Sequence, residues 1–216
     1  MDKKISTTER FHIFILLMLS GGFMGAYSYY LKGGVFANAE TANLLLLSLN
    51  LANGNWNAAF SVLIPIATFF LGTFFSELLS SRLKHRWPPI LISCEILLLA
   101  VLSLLPEKTP FTLYHVSIAL ISSMQYNTFR QARGVPLSTL FCTAHLRGGA
   151  SSLYHALAEK NSASLQKFYY HTGLIATFVS GAVLCALTSR ILSTHTLILS
   201  VLPLCFVLFE ILRKKD

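Results

Sequence analysis

Two short apolar segments open with the same Thr-Ala-polar-Leu pattern. They are ETANLLLLSLNLANG, residues 40–54, and CTAHLRGGASS, residues 142–152. The polar side chains at their starts are those of Glu40, Thr41, Asn43, Thr143 and His145. A carboxylate beside hydroxyl and amide oxygens can bind a proton or a small cation, and an imidazole can change its charge near neutral pH. The same residues are compatible with a structural reading, in which Glu40 is an acid at a helix start facing water and His145 joins two helices by a hydrogen bond.

Three further polar residues lie in longer apolar segments. Gln125 and Asn127 belong to FTLYHVSIALISSMQYNTFRQ, where polar rows either join helices or line a path. Glu95 lies in the middle of PPILISCEILLLAVLSLL and is either a proton relay or a neutral, hydrogen-bonded structural residue. The candidate solute or ion pathway therefore consists of Glu40, Thr41, Asn43, Gln125, Asn127, Thr143 and His145, with Glu95 as a candidate proton relay.

The sequence carries no recognisable enzyme constellation. It contains no G-x-S-x-G, H-E-x-x-H, P-loop or G-x-G-x-x-G motif, and its histidines lack mutual metal-ligand spacing. The four cysteines are scattered through apolar segments without C-x-x-C spacing, as expected of small core residues. We therefore expect a protein that is not an enzyme, with no catalytic residues, no cofactor and no metal site.

The composition is that of a helical membrane protein. Of 216 residues, 54% are hydrophobic and only 12% are charged, and the mean hydropathy is +0.60. Several windows of about 18 residues are almost free of charge, which is the length needed to cross the hydrocarbon core. The net charge of +8 then reflects Lys and Arg kept on the cytoplasmic side, and binding to nucleic acid is not predicted.

Six apolar segments are long enough to span a membrane. They cover residues 11–31, 57–80, 88–105, 111–131, 168–189 and 194–212. Two shorter and more polar segments, 36–52 and 136–158, are bounded by Gly, Pro or Asn and are predicted to be re-entrant or interfacial. The predicted fold is all-α, a single transmembrane domain over residues 1–216.

The distribution of Lys and Arg orients these spans. If the two short segments do not cross, 14 basic residues lie on the side of the termini and 3 on the other side. This asymmetry predicts that both termini are cytoplasmic. Full crossing by both short segments would place the RLKHR loop, residues 82–86, outside.

The two halves of the chain resemble each other in order. MGAYSYYLKGGV (24–35) precedes TANL in the first half, and MQYNTFRQARGV (124–135) precedes TAHL in the second. Each half, about 11–105 and about 111–212, contributes three spans and one short segment. Because three is odd, the second copy is inserted upside down. Paired short, polar-interrupted segments in inverted halves are typical of transporter binding sites, although amphipathic surface helices or helices packed through small residues would give a similar pattern.

The motifs in these halves resemble those of the YoaK-like bacterial membrane proteins. The resemblance rests on Gly-x-x-x-Ala-x-Ser-Tyr in the first span with the following basic-Gly turn, and on MQYNTFRQARGVPLSTLFCTAHL in the second half. It implies six spans and a bacterial inner-membrane location, with no established activity. The chain departs from that family at Ala42 and Ala144, where Thr is usually followed by Gly, and at Gly25, where an Asp is common.

We expect secondary transport of a small solute across the inner membrane, for which Glu40, His145 and Glu95 would allow proton coupling. The alternatives are a non-transporting membrane scaffold or regulatory protein and an ion channel. The expected partners are the lipid bilayer and a small solute or ion, and the sequence leaves a homo-oligomer open.

The charge asymmetry generates a topology prediction. A reporter fused after residue 84 should be active only as a cytoplasmic reporter, and one inserted at residues 106–110 or 190–193 only as an external reporter. Paired alkaline phosphatase and fluorescent-protein fusions measure this. External activity at residue 84 would contradict the six-span topology.

Overall fold

The computed structural model describes residues 7–213, which fold almost entirely into helices. The α-helices are α1 (Phe11–Leu31), α2 (Glu40–Ala52), α3 (Trp56–Leu83), α4 (Trp87–Leu104), α5 (Phe111–Thr128), α6 (Cys142–Ala158), α7 (Ser162–Leu192) and α8 (Val201–Arg213). Short 3₁₀ turns cover Thr7–Glu9, Lys84–Arg86 and Ser193–Ser200, and the two-residue strands β1 (Gln131–Ala132) and β2 (Val135–Pro136) pair antiparallel as a hairpin. The prediction of an all-α protein is confirmed.

Local capping explains where the helices differ from the predicted spans. The Asn161 side chain accepts hydrogen bonds from the backbone N–H groups of Ala163 and Ser164, so α7 starts at Ser162, before the apolar run begins at residue 168. α5 ends at Thr128 rather than 131 because the following residues form the β1–β2 hairpin. The short segments are helical only from Glu40 and from Cys142 onwards, since the residues before them form loops.

Three helical stretches among the described residues are long and apolar enough to cross a membrane. They are Phe11–Leu31, Trp56–Leu104 and Ser162–Arg213, and the last two contain 49 and 52 residues. Large apolar side chains cover the outside of the molecule, for example Phe70 and Ile191, which are 74% and 85% exposed. Such an apolar exterior would be unstable in water and is stable in lipid. The long apolar helices and the apolar exterior thus indicate a membrane protein.

Each of the two longest stretches is interrupted by one residue with left-handed backbone. Lys84 (φ 49°) ends α3 and Ser193 (φ 51°) ends α7. A 3₁₀ turn follows each of them before the next helix begins. A non-glycine residue in this conformation breaks the helical ladder, so each long stretch consists of two helical elements.

Contacts between distant residues define two ends of the helix bundle. At one end, which we call the hairpin end, Arg10 Nη1 lies 3.3 Å from Glu210 Oε2, and the backbone N–H of Arg133 donates to Glu9 O at 3.1 Å. This end therefore gathers the start of α1, the β1–β2 hairpin and the end of α8.

We call the opposite end the Lys32 end. There Tyr27 Oη donates to Thr194 O at 2.9 Å, and His115 Nε2 donates to Lys32 O at 2.7 Å. This end brings together the end of α1, the start of α5 and the turn after α7.

The helices of the two halves pack crosswise. α1 lies along α7 and α5 lies along α3, while α2 packs on α3 and α6 on α7. Glycines permit the two long contacts: a Cβ at Gly181 would collide with Leu19 O of α1, and one at Gly72 would collide with Ser123 Oγ of α5. Small residues let helix backbones approach closely in a membrane.

Adding one methyl group to α7 tests whether the close contact between α1 and α7 depends on glycine. Gly181→Ala should destabilise the protein by about 1–3 kcal/mol, because its Cβ has no room against the α1 backbone. Gly173→Ala on the same helix is the matched control, since its Cβ would meet nothing within 4 Å, and it should stabilise the helix by about 0.5–1 kcal/mol. Thermal unfolding in detergent measures both; equal midpoints would contradict the assigned α1–α7 contact.

Candidate functional site

The loop before α2 runs back along α1 to the middle of that helix. The backbone N–H of Ala37 donates to Ser28 Oγ at 3.1 Å, and Asn38 Nδ2 donates to Gly21 O at 3.0 Å. Gly21 lies halfway along Phe11–Leu31. Helix α2 therefore begins deep inside the molecule, with its first turn level with the middle of α1.

The loop before α6 reaches the same glycine. A Cβ at Gly21 would lie 2.9 Å from Thr139 O and 2.8 Å from Leu140 Cδ2, so only glycine fits there. We call Gly21, Asn38, Thr139 and Leu140 the central junction. Two loops from separate halves of the chain meet at this point of α1.

The two short helices lead away from the central junction in opposite directions. α2 connects to the start of α3, and the far end of α3 lies at the hairpin end, where Ser76 Oγ lies 3.4 Å from Met124 O near the end of α5. α6 connects to the start of α7, which lies at the hairpin end because Tyr170 stacks on Phe11 with ring centroids 4.3 Å apart. α2 therefore returns to the Lys32 end, and α6 returns to the hairpin end.

Asn43 and His145 make equivalent contacts in the two halves. Asn43 Nδ2 donates to Phe36 O, and His145 Nε2 donates to Ser138 O at 2.9 Å. In both cases a side chain in the first turns of the short helix holds the backbone carbonyl seven residues earlier. These hydrogen bonds fix each loop against its helix, which favours the structural alternative for His145. A role in a solute pathway stays a prediction for both.

A second histidine, which the sequence did not point to, completes the surroundings of His145. The Nδ1 atoms of His145 and His171 lie 3.0 Å apart in a buried contact between α6 and α7. Because His145 donates through Nε2 to a carbonyl, its Nδ1 carries the lone pair and His171 Nδ1 donates to it. Gly148 provides the space, since a Cβ there would lie 2.6 Å from His171 Nε2; the Gly148–Gly149 pair is the signal that could have indicated a close neighbour.

Several buried polar atoms near the loops and in α4 and α5 lack a hydrogen-bond partner among the described residues. Glu40 Oε2 accepts from Asn43 Nδ2 at 3.2 Å, but Glu40 Oε1 has none. Both carboxyl oxygens of Glu95, both amide atoms of Gln125 and Thr139 Oγ1 are also unpaired. Buried polar groups are rarely left in this state without a water, an ion or a ligand.

The remaining predicted pathway residues lie elsewhere. Thr41 and Thr143 are exposed on the outside of the molecule. Asn127 lies at the hairpin end, where its Oδ1 accepts from Arg130 Nη2 at 2.5 Å, and Arg130 also pairs with Glu77. Among the seven predicted residues, Glu40 and Asn43 are the pair that hydrogen-bond to each other in the described chain.

Lys32, at the end of α1, is a buried residue that the sequence did not single out. Its side chain is fully buried and its ammonium has no hydrogen-bond partner in the described chain. Nζ lies 3.8 Å from the ring centroid of Tyr114 and 5.7 Å from those of Tyr27 and Phe111. Aromatic faces stabilise a desolvated cation. Burial nevertheless lowers the pKa of Lys32 below its ordinary value, and the charge of Glu107 opposes this effect.

Because the pKa of Lys32 is lowered, the stability of the folded protein changes with pH in the alkaline range. Below the lowered pKa the folded protein must bury a charge; between that pKa and the ordinary value of 10.5 the unfolded chain binds more protons, so stability rises with pH. Lys32→Met should remove this rise, whereas Lys108→Met, at an exposed position, should keep it. Melting curves in detergent from neutral pH to pH 10 measure the difference, and equal slopes for Lys32→Met and the unmodified protein would contradict the burial of a titrating ammonium.

Comparison with curated proteins and with solved structures gave no match. The pattern of one protein family matches most of the chain, including all the elements of the central junction, and this agrees with the expectation of an uncharacterised family. The chain belongs to the DUF1275 family, described as proteins of unknown function, whose pattern matches residues 13–209.

Proposed function

We propose that this protein is a secondary transporter of a small solute across the bacterial inner membrane, with its binding site at the central junction. The observation that carries the proposal is the meeting of two loop-to-helix transitions at Gly21 in the middle of α1. Irregular backbone at this depth is tolerated in a membrane where protein or a water-filled cavity satisfies its polar groups. Transporters place substrate at such breaks.

Left-handed residues support an internal repeat. The eight residues with positive φ in the described chain fall into four pairs at corresponding places: Gly33 with Arg133, Gly34 with Gly134, Gly54 with Lys160, and Lys84 with Ser193. The first two pairs precede the short helices, the third follows them, and the fourth ends α3 and α7. A single matched pair of positive-φ residues would carry little weight, but four matched pairs in the same chain order support two copies of one structural repeat.

The crosswise packing supports an inverted relation between these copies. In the proposed repeat α1 corresponds to α5 and α3 to α7, so the α1–α7 and α3–α5 contacts are the same contact made twice. Their glycines Gly181 and Gly72 are matched as well. The proposed topology has six spans, α1, α3, α4, α5, α7 and the 3₁₀ turn with α8, while α2 and α6 are re-entrant helices of 13 and 17 residues. A 13-residue helix is about 20 Å long, too short for a core of about 30 Å.

The charge distribution supports a cytoplasmic hairpin end. Arg10, Arg130 and Arg133 lie at that end, as the positive-inside rule predicts for the cytoplasmic side. The termini themselves, residues 1–6 and 214–216, lie outside the described residues.

The geometry suggests how transport would work. The first turns of α2 and α6 direct backbone N–H groups and positive dipole ends toward the middle of the molecule, and Thr139 of the central junction adds an unpaired hydroxyl. Rocking one repeat against the other would expose the junction alternately to each side. Solute must bind the two states with different free energies to shift this equilibrium. Glu40 and Glu95 are the carboxyl groups available for proton coupling.

A non-transporting scaffold is the second candidate, and the cavities favour it. One cavity of about 430 Å³ lies at the start of α1 and another of about 230 Å³ lies in an apolar groove between α1, α7 and α8. Neither is between the short helices. A scaffold would need no cavity at the central junction, whereas a transporter would have to open one there.

Cysteine labelling separates the two candidates. In a background with Cys94, Cys142, Cys185 and Cys205 replaced, Thr139→Cys should react with a membrane-impermeant thiol reagent from both sides, with a balance that changes with pH or solute. Thr139 is suited to this because its hydroxyl has no partner to lose. Asn53→Cys and Glu159→Cys, in the exposed turns after α2 and α6, should each react from one side, outside and inside respectively. One-sided or absent labelling at residue 139 under all conditions would exclude alternating access and favour the scaffold.

A further inference from the structure

A second candidate binding site lies at the hairpin end, away from the central junction. The cavity of about 430 Å³ there is lined by Arg10, Phe11, His12 and Arg133. Two arginines and a histidine thus line one space. Guanidinium groups are well suited to phosphate because they offer several N–H donors in a fixed plane.

The backbone at this cavity adds to the attraction for an anion. Arg10 occupies the N-cap position of α1 and makes no side-chain capping hydrogen bond. Phe11 and His12, the first two helical residues, line the cavity, and their N–H groups belong to the helix end that carries positive partial charge. A helix start next to basic side chains is a favourable environment for a phosphate group.

The surrounding residues hold the basic side chains in place. Glu210 Oε2 lies 3.3 Å from Arg10 Nη1 and 3.5 Å from His12 Nε2. Arg133 Nη1 donates to Tyr170 Oη at 3.1 Å. Glu9, the other acid nearby, accepts from Gln131 Nε2 at 2.7 Å. The site is thus built from five parts of the chain: the N-terminal turn, the start of α1, the hairpin, α7 and α8.

The backbone of Arg133 is unusual for an arginine. Its φ is 49°, in the left-handed region, and the corresponding residue of the other half is Gly33. Glycine would adopt this conformation without strain. Arg133 therefore provides a basic side chain at a position where glycine would have less backbone strain.

We propose that this cavity binds the phosphate of an anionic phospholipid. Phe11 is both a cavity residue and the first residue of a membrane-spanning helix, so the cavity lies at the depth of the lipid headgroups. A free phosphate ion would satisfy the same donors, but it would not be retained at the membrane surface by acyl chains. The proposal is independent of the proposed transport function, since it requires only that α1 spans the membrane.

Lipid titration of the purified full-length protein in a nonionic detergent tests this proposal. Native mass spectrometry should show retention of dioleoylphosphatidylglycerol in preference to dioleoylphosphatidylethanolamine. Arg133→Gln should weaken the binding of phosphatidylglycerol by about tenfold, the effect expected for losing a charge-assisted hydrogen bond. A parallel arm with inorganic phosphate distinguishes the lipid from the free ion.

Two control variants distinguish the effect of the Arg133 charge from the effect of its hydrogen bond to Tyr170 and from the effect of an arginine elsewhere on the surface. Tyr170→Phe removes the Arg133–Tyr170 hydrogen bond while keeping the arginine and the aromatic ring, so it should weaken lipid binding less than Arg133→Gln does. Arg147→Gln, on the exposed surface of α6, should have no effect. Should Arg133→Gln fail to fold, the unmodified protein still gives the answer, because its bound phosphatidylglycerol must fall as salt is raised. Binding that is insensitive to salt or to Arg133→Gln, or binding of inorganic phosphate without the lipid, would overturn the proposal.

Discussion

The fold depends on satisfying backbone polar groups at a depth where lipid offers no hydrogen bonds. Two loops end in the middle of the molecule, and the face of α1 that contains Gly21 and Gly25 receives one of them through the Asn38 side chain. A larger residue at Gly21 would push away the other loop at Thr139 and Leu140. Because glycine leaves room there, the loop before α2 hydrogen-bonds to α1 and the loop before α6 packs against it. The positions of α2 and α6 follow from these contacts.

The sequence predicted the long helices well because their signal is local. Each apolar run of sufficient length became helix, and the matching polar residues Asn43 and His145 proved to make matching hydrogen bonds. The starts of α2 and α6 were not predictable in the same way. They are set by contacts with Gly21 of α1, which lies 17 residues before Asn38 and more than a hundred before Thr139, and nothing in the local sequence pattern encodes those contacts.

The candidate site was predictable only in part, for the same reason. Thr41 and Thr143 share the polar pattern of their neighbours but project outward, since successive residues of a helix cannot all face one side. Glu77 lies five residues before Arg82 in the sequence, yet it pairs with Arg130 of a different segment. Lys32 and His171 owe their surroundings to aromatic rings and a histidine brought in from other helices. Contacts of this kind join side chains of different helices, and the periodicity of the sequence within one helix does not predict them.

The pairing of α1 with α7 has a consequence for biosynthesis. The first loop can dock on α1 almost at once, because Asn38 is made soon after Gly21. The main partner of α1, however, begins at Ser162 and leaves the ribosome only after most of the chain has been made. During that interval the face of α1 that contains Gly22, which packs against Phe178 of α7, must remain without its partner, while α5 and α3 can already associate. The order of synthesis thus allows the α3–α5 contact to form early and the α1–α7 contact only at the end, so we expect assembly to pass through an intermediate in which α1 lacks its main partner.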